Sequence, residues 1–374
     1  MNSGRPILII CSGLNYPGGI ERAIVNTANL LNGKGYSVHL LVLNESGSSF
    51  YPVNESVIIT TRSLHFGITQ QGNFFSRKVA LAKHIIALRR VIRAINPSAL
   101  ITTEYVQTIA TRLAFIAQPK VPLFSWEHHH YNGLRKNRFW ALLQKIVYPS
   151  LTAVVCLNGE EAAYFKKIGC HPVVIPNFIY ASQAGHAIIR NKTVLTIGWL
   201  TTAKGADYLP RIAAAVLLKH ADWQWEVVGK GSEKEWLLNQ VAERGLQGRL
   251  IITEPNSSEI DHLYQQARLF VLLSRVECLP MVLLEAMGQG LPVIAFDCPT
   301  GPRHIIEDGK NGMLVQNGNE EAMIAAINRC IEDEALRSTL SSTAQKTIAR
   351  FDPEVIYCLW KQLLFPDVTA ENTE

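Results

Sequence analysis

Glu277 and Glu285 are the residues whose type and spacing first suggest chemistry in this chain. Eight residues apart on one continuous helix, they would be rotated by roughly 80° and would not share a face. Pro280 lies between them, and proline suits the first turn of a helix, where its missing N–H costs nothing. The spacing therefore predicts a helix from about Pro280 to Met287, stopping at Gly288 or Gly290. Glu277 falls on the loop at its entrance and Glu285 one turn inside it. A carboxylate with two acceptor oxygens can grip the vicinal diol of a ribose or a hexose. A plain surface glutamate is the ordinary alternative. The apolar Pro292-Val293-Ile294-Ala295 that follows places Glu285 near a buried sheet edge instead.

Glycine loops supply a second kind of chemistry. Gly18-Gly19 lies between an apolar run and the amphipathic stretch that starts at Glu21-Arg22. A strand, a glycine loop and a helix N-terminus form an anion site, because unpaired N–H groups and the helix dipole face the ligand. Gly229-Lys230-Gly231-Ser232 repeats the arrangement later in the chain. Neither has the Gly-x-Gly-x-x-Gly spacing of a dinucleotide fold, which argues against an NAD enzyme. Ser125-Trp126-Glu127-His128-His129-His130-Tyr131 follows another apolar run. Extended side chains alternate faces, so three consecutive histidines cannot converge on one metal ion. They read as a solvated loop or as one selected histidine.

The elements that must position these residues alternate strand, loop and helix. Short apolar runs stand at Ile7–Cys11, Val38–Leu43, Ala99–Thr102, Pro122–Ser125 and Ala153–Leu157. The rhythm restarts at Thr193–Ile197, Trp225–Val228, Leu250–Ile252, Leu269–Leu273 and Pro292–Ala295. Such alternation implies parallel sheets covered by helices, and two runs of it imply two doubly wound α/β domains. The small, polar Ala181-Ser182-Gln183-Ala184-Gly185-His186 reads as the linker between them, and the last residues read as a frayed tail.

Composition narrows the class. The 374 residues, 48% hydrophobic and 18% charged, suit two globular domains. Seven scattered cysteines with no Cys-x-x-Cys argue against a structural zinc site or a disulfide framework, and fit a reducing cytoplasm. No apolar stretch approaches the roughly 18 residues a membrane span needs. Residues 1–180 hold 18 Lys and Arg against 7 Glu, a net +11, whereas 181–374 hold 18 against 24 acids, a net −6. The segment Phe74 to Arg93 is basic, amphipathic and tipped by Phe74-Phe75, and basic residues recur at Arg135-Lys136-Asn137-Arg138. A basic amphipathic helix reads as a membrane-surface element, with a charged outer face on a core helix as the alternative. Nucleic acid would also suit a basic face, but no recognisable reader motif accompanies it.

Taken together, these pieces resemble family 4 glycosyltransferases of the two-domain GT-B fold. Glu277-x7-Glu285 followed by Ala286-Met287 and Gly290-Leu291-Pro292-Val293-Ile294 resembles the family's donor signature. Gly18-Gly19-Ile20-Glu21-Arg22, Ile175-Pro176-Asn177, Lys204-Gly205 and Gly229-x-Gly231 resemble its remaining landmarks along nearly the whole chain. Asp297-Cys298-Pro299-Thr300-Gly301-Pro302 and Asn311-Gly312-Met313-Leu314-Val315 resemble a branch that builds bacterial capsule, exopolysaccharide and O-antigen.

The resemblance implies two Rossmann-like domains facing a cleft: an acceptor domain over 1–180, a nucleotide-sugar domain over 190–350, and a C-terminal helix at 351–366 crossing back to the first. It implies that Glu285 holds the ribose, Glu277 the transferred sugar and Lys204 the leaving diphosphate, which Gly19 approaches from the N-domain beside Gly18. Gly198, Gly229 and the backbone of Leu279, Pro280, Met281 and Val282 would complete the donor site. His128 stands where the family carries an active-site histidine, oriented or merely neighboured by Glu127. Family members retain anomeric configuration and need no metal or other cofactor, and no Asp-x-Asp occurs here. The implied partners are a nucleotide sugar, a polyprenyl-diphosphate-linked glycan and an anionic membrane, with the enzyme cytoplasmic and peripheral on the inner membrane.

Two departures stand out. Gly198-Trp199-Leu200 lacks the family's usual arginine after the glycine, for which Arg22, Arg275 or Arg303 would substitute. Cys278 follows Glu277, where glycine is common. Rival readings are a GT-B sugar-nucleotide epimerase and an inactive GT-B subunit partnering another transferase.

Overall fold

The computed structural model describes residues 4–43, 48–64, 66, 74–115, 121–131, 133, 137–180, 190–254 and 259–366, with side chains in the 74–95 helix from residue 79 onward. The sequence-predicted linker, Arg135, Lys136 and the side chains of Phe74 and Phe75 lie outside the described residues. The chain divides into two compact units, Met1–Pro176 with Ile356–Glu374, and Asn177–Val355.

The first unit runs β1 (Ile7–Cys11), α1 (Gly19–Gly33), β2 (Val38–Val42), β3 (Ile58–Thr61), α2 (Phe74–Ile95), β4 (Ala99–Thr102), α3 (Tyr105–Ala114), β5 (Leu123–Trp126), α4 (Arg138–Val147), β6 (Ala153–Cys156), α5 (Gly159–Lys167) and β7 (Pro172–Val174). Its strands pair in parallel in the order β3-β2-β1-β4-β5-β6-β7. β1 sits centrally, with Ile9 beside Leu40 on one side and Ile101 on the other. Every residue of β1, β2 and β4 is buried, as a parallel sheet covered on both faces requires.

The second unit runs β8 (Thr193–Ile197), α6 (Leu209–Lys219), β9 (Gln224–Val228), α7 (Lys234–Glu243), β10 (Leu250–Thr253), α8 (Ile260–Gln266), β11 (Leu269–Leu272), α9 (Met281–Gly288), β12 (Val293–Asp297), β13 (Met313–Gln316), α10 (Glu320–Glu332) and α11 (Glu334–Ile348). Its parallel order is β10-β9-β8-β11-β12-β13. Both sheets reverse their strand order beside their first strand, between β1 and β4 and between β8 and β11. In open α/β sheets that reversal leaves a crevice at the strands' carboxyl ends.

The strands missing from the sequence reading are β3, β7 and β13, each at a sheet edge. Their burial is partial, so the apolar run that announces a central strand is absent. Pro280 also differs from expectation. It caps α9 in an extended conformation (φ −70°, ψ 108°) and Met281 is the first helical residue.

The last helix, α12 (Pro353–Leu364), belongs to the first unit from Ile356 onward. Trp360, fully buried, meets Trp126 edge-on with ring centroids 5.2 Å apart. Phe365 stacks on Tyr36 at 4.8 Å, and Lys34 sits 4.9 Å over the Tyr357 ring. Trp360→Ala should therefore cost about 3–5 kcal/mol, read as a lowered urea midpoint. A wild-type midpoint would show that α12 contributes no packing to the first unit.

Candidate functional site

In the second unit the candidate residues gather on the loops that leave β8, β9, β11 and β12 at their carboxyl ends. The β8 loop makes a short 3-10 turn, Thr202–Lys204, ended by Gly205 in the left-handed conformation. The β11 loop is tied to it through the backbone, Arg275 N–H donating to the Ala203 carbonyl at 2.9 Å. The Arg275 side chain strengthens the tie. It donates to both oxygens of Asp207 at 2.6 and 2.7 Å, bonds the Thr202 carbonyl, and lies 3.9 Å over the Tyr208 ring. Hydrogen bonding from Arg275 holds the Asp207 carboxyl below its ordinary range.

Once these loops are joined, Lys204 and Glu277 meet. Lys204 Nζ donates to Glu277 Oε1 at 2.7 Å, and Ser274 Oγ donates to the same oxygen at 2.7 Å. No described residue donates to Oε2. Glu277 is 11% and Lys204 33% exposed, so the pair lies at the surface of a recess and not in the core. Lys204 carries three N–H donors, of which the described residues engage one.

The β12 loop fixes Glu277 from the other side. Thr300 is buried at φ 67°, a left-handed conformation that a β-branched residue adopts only under strain. Its Oγ1 donates to the Glu277 carbonyl at 2.8 Å, and the two residues form a parallel bridge. Gly301 permits this approach, since a Cβ there would stand 2.5 Å from the Glu277 Cβ and 3.0 Å from Pro280 Cδ. Gly229 allows a similar approach between the β9 and β8 loops, because a Cβ would fall on the Gly198 carbonyl oxygen. Cys278 is buried. Burial also pushes the neighbouring Cys298 thiol up to about 12, so it stays neutral.

Glu285 lies inside α9, 7% exposed, with Tyr264 OH donating to its Oε2 at 2.8 Å. Leu279 and Met281 are buried at the start of this helix, which has no side-chain cap. Its first N–H groups are therefore available to an anion. Ser274, Thr300 and Tyr264 were missed as functional residues in the sequence. Thr300 lay inside a segment already singled out, but nothing local marks its backbone conformation or Tyr264's reach across from α8.

The three proposed replacement cations all have protein partners. Arg275 is matched to Asp207, and Arg303 donates to both Asp297 oxygens at 2.9 and 3.0 Å. Arg22, on the first unit, lies 5.3 Å from the centre of the Tyr51 ring. Trp199, at the end of β8, is 37% exposed.

The first unit carries Gly18 as the cap of α1, with no side-chain cap bond, and Gly19 exposed as its first residue. Glu21 folds back over Gly18, and burial, reinforced by Glu104, pushes its carboxyl up. The three histidines diverge: His128 is buried, His129 exposed and His130 half-buried against Tyr131. The His128 ring lies 4.3 Å from that of Trp126, and neither of its nitrogens has a hydrogen-bond partner among the described residues. Burial, with His129 nearby, lowers its pKa to about 3. Glu127 does not orient it. Glu127 Oε1 instead accepts from Ser125 Oγ at 2.6 Å and Tyr148 OH at 2.5 Å, anchoring the end of β5 to the core.

The two units, each a Rossmann-like parallel sheet with its glycine loops and carboxylates at the strand ends, have the GT-B plan of glycosyltransferases. Two family models match consecutive halves of the chain, Glycosyltransferase Family 4 over residues 17–183 and Glycosyl transferases group 1 over 183–347. The chain belongs to the family 4 glycosyltransferases, and its relatives include bacterial enzymes of polysaccharide biosynthesis. The amylovoran biosynthesis glycosyltransferase AmsD of Erwinia amylovora is 28% identical, over 96% of this chain and 99% of its own. A Campylobacter jejuni GalNAc-alpha-(1->4)-GalNAc-alpha-(1->3)-diNAcBac-PP-undecaprenol alpha-1,4-N-acetyl-D-galactosaminyltransferase is 26% identical over 96% and 98%. Among solved structures, a mutant of Staphylococcus aureus TarM, in complex with fondaparinux, alpha-GlcNAc-glycerol and UDP, superposes with a TM-score of 0.81. It is 13% identical, with 96% of this chain and 100% of that one covered.

Two outcomes follow from this geometry. Thr300→Val keeps the strained backbone but leaves the Glu277 carbonyl without its donor, which should cost about 1–3 kcal/mol in chemical denaturation. Equal stability would mean the hydroxyl does not hold the loop. The depressed pKa of His128 means that the unfolded chain takes up a proton below about pH 6.5 that the folded chain refuses until about pH 3. Stability is therefore lost as pH falls through that window. His128→Phe should flatten the decline in melting temperature between pH 7 and pH 4; an unchanged slope would place the histidine in water.

Proposed function

We propose that the chain is a retaining hexosyltransferase moving a hexose from a UDP-sugar to a polyprenyl-diphosphate-linked glycan, without a metal, at the anionic inner face of the inner membrane. The observation that carries this reading is the half-satisfied Glu277. One oxygen is held by Lys204 and Ser274, while no described residue donates to the other. A carboxylate so fixed can accept a hydrogen bond from a hydroxyl of the transferred sugar.

Breaking the glycosidic bond sheds negative charge onto the leaving diphosphate, and preorganised donors aimed at that charge lower the barrier most. Lys204 has two N–H groups left for it, and the uncapped start of α9 supplies backbone N–H groups. Glu285, steadied by Tyr264, takes the ribose diol. His128 stays neutral at physiological pH, so its ring offers one donor and one acceptor to a sugar hydroxyl and no charge. The acceptor hydroxyl attacks on the face from which the diphosphate leaves, which preserves anomeric configuration. The names of AmsD and the Campylobacter transferase support an exopolysaccharide or lipid-linked acceptor, and the UDP bound to TarM supports a uridine donor.

The test is product analysis by mass spectrometry and NMR with UDP- and GDP-hexoses, each with and without polyprenyl-diphosphate-linked oligosaccharides. A retained glycosidic linkage formed from one UDP-hexose is the expected result. Lys204→Ala and Glu277→Gln should each lower kcat about 100-fold or more, the scale set by removing one transition-state donor. Binding of a nucleotide sugar with no turnover on any acceptor would mark an inactive partner subunit. An isomerised donor formed without acceptor would mark an epimerase.

A further inference from the structure

A transferase that works on lipid-linked glycans needs a surface that meets the bilayer, and the inference here rests on that proposed function. Among the described residues no helix is long and apolar enough to cross a membrane. The helix α4 carries an unusual outer face. Phe139, Leu142 and Ile146 are 52%, 59% and 63% exposed. Their spacing puts them on one side of the helix. Arg138 and Lys145 are the other exposed residues on that side, while Trp140, Gln144 and Val147 face the core. Three large apolar side chains turned to water on ten residues need a cover.

The neighbouring helices say what kind. α3 packs against both α2 and α4, so the three form one layer on the sheet. On α2, Val79 and Ile86 are exposed on the same side as Lys83 and Arg90, and Leu88 and Ile92 are buried opposite. The sequences of α2, α3 and α4 together hold nine Lys and Arg and no Asp or Glu. A protein partner of mixed charge does not demand that exclusion. A sheet of lipid phosphates with acyl chains beneath it does: basic side chains bind the headgroups while apolar ones enter the boundary. We propose that the outer face of the α2–α3–α4 layer docks on anionic phospholipid, with Phe139, Leu142 and Ile146 as the inserted wedge. The sequence marks the basic stretch around α2, whereas the wedge on α4 emerges only from the exposure of its side chains.

The full-length chain is incubated with vesicles of phosphatidylglycerol and phosphatidylcholine, or of phosphatidylcholine alone, and sedimented at low and high salt. Binding only to the anionic vesicles, weakened by salt, is expected. The triple variant Phe139→Gln, Leu142→Gln, Ile146→Gln should lose at least tenfold in vesicle affinity. Because all three side chains are exposed, its melting temperature should match wild type, and its turnover on a short-chain acceptor in detergent should be retained. Arg138→Ala with Lys145→Ala should weaken binding and flatten its salt dependence. No binding by wild type, or undiminished binding by the triple variant, overturns the proposal. So does a wild-type dimer that the triple variant alone dissolves, seen by light scattering, since the face would then bind a second copy. Vesicle binding without any hexose transfer would leave the docking face standing and remove the enzymatic reading instead.

Discussion

The ion pair between Lys204 and Glu277 is the contact on which the second unit's proposed chemistry depends, and it forms where the strand order reverses between β8 and β11. β8 and β11 lie side by side, but at such a switch point the loops that leave them diverge, so two residues 73 apart in sequence have no local reason to meet. Arg275 supplies one. By gripping Asp207 and the β8 loop from the β11 side, it draws the loops together a short distance from the pair it positions. Thr300 then holds the Glu277 backbone from the β12 loop. A cluster assembled from three loops is thus braced by groups that lie beside the ion pair and not in it. That is how a carboxylate can be held still by one oxygen and leave the other for a ligand.

How much of this could be read in the sequence depends on the range of the interaction. The central strands were legible because a parallel strand covered on both faces must be apolar throughout, as Ile7 to Cys11 is. The edge strands β3, β7 and β13 carry no such demand and left no signal. Glu277 and Glu285 were legible because a proline and a glycine bracket a short helix around them. Lys204 was visible as a loop cation, yet its pairing with Glu277 was not, since that contact is created only when β11 is laid beside β8. Glu127 shows the opposite failure. Adjacent to His128 in sequence, it turns to Ser125 and Tyr148, because successive residues leaving a strand point to opposite sides.

Burial shapes the first unit's histidine as strongly as pairing shapes the second unit's glutamate. Packed against Trp126 and stripped of water, His128 is neutral across the physiological range, so its contribution is a pair of hydrogen-bonding nitrogens and not a charge. The aromatic packing that produces this state extends through Trp126 to Trp360 on α12. The polarity of the ring is therefore set partly by a helix that the chain returns to the first unit only after completing the second.

The replacement of an expected arginine by Trp199 then has a specific electrostatic meaning. Arg275 and Arg303 each face an aspartate with both donors, and such bidentate pairs give up their partner only at the expense of leaving that carboxylate unmatched. In the proposed transfer, the positive field that this unit offers a departing diphosphate comes from Lys204, itself half-committed to Glu277, and from the backbone N–H groups at the start of α9. Because Lys204 serves both the carboxylate and the anion, the two are coupled. As charge builds on the diphosphate it competes for the ammonium, and Glu277, less neutralised, becomes a better acceptor and a more negative neighbour for the electron-poor sugar carbon. A second fixed cation at Trp199 would weaken that exchange by satisfying the diphosphate alone. With Trp199 in that place, the electrostatics of the proposed reaction centre on one lysine and one glutamate, held 2.7 Å apart by the loops around them.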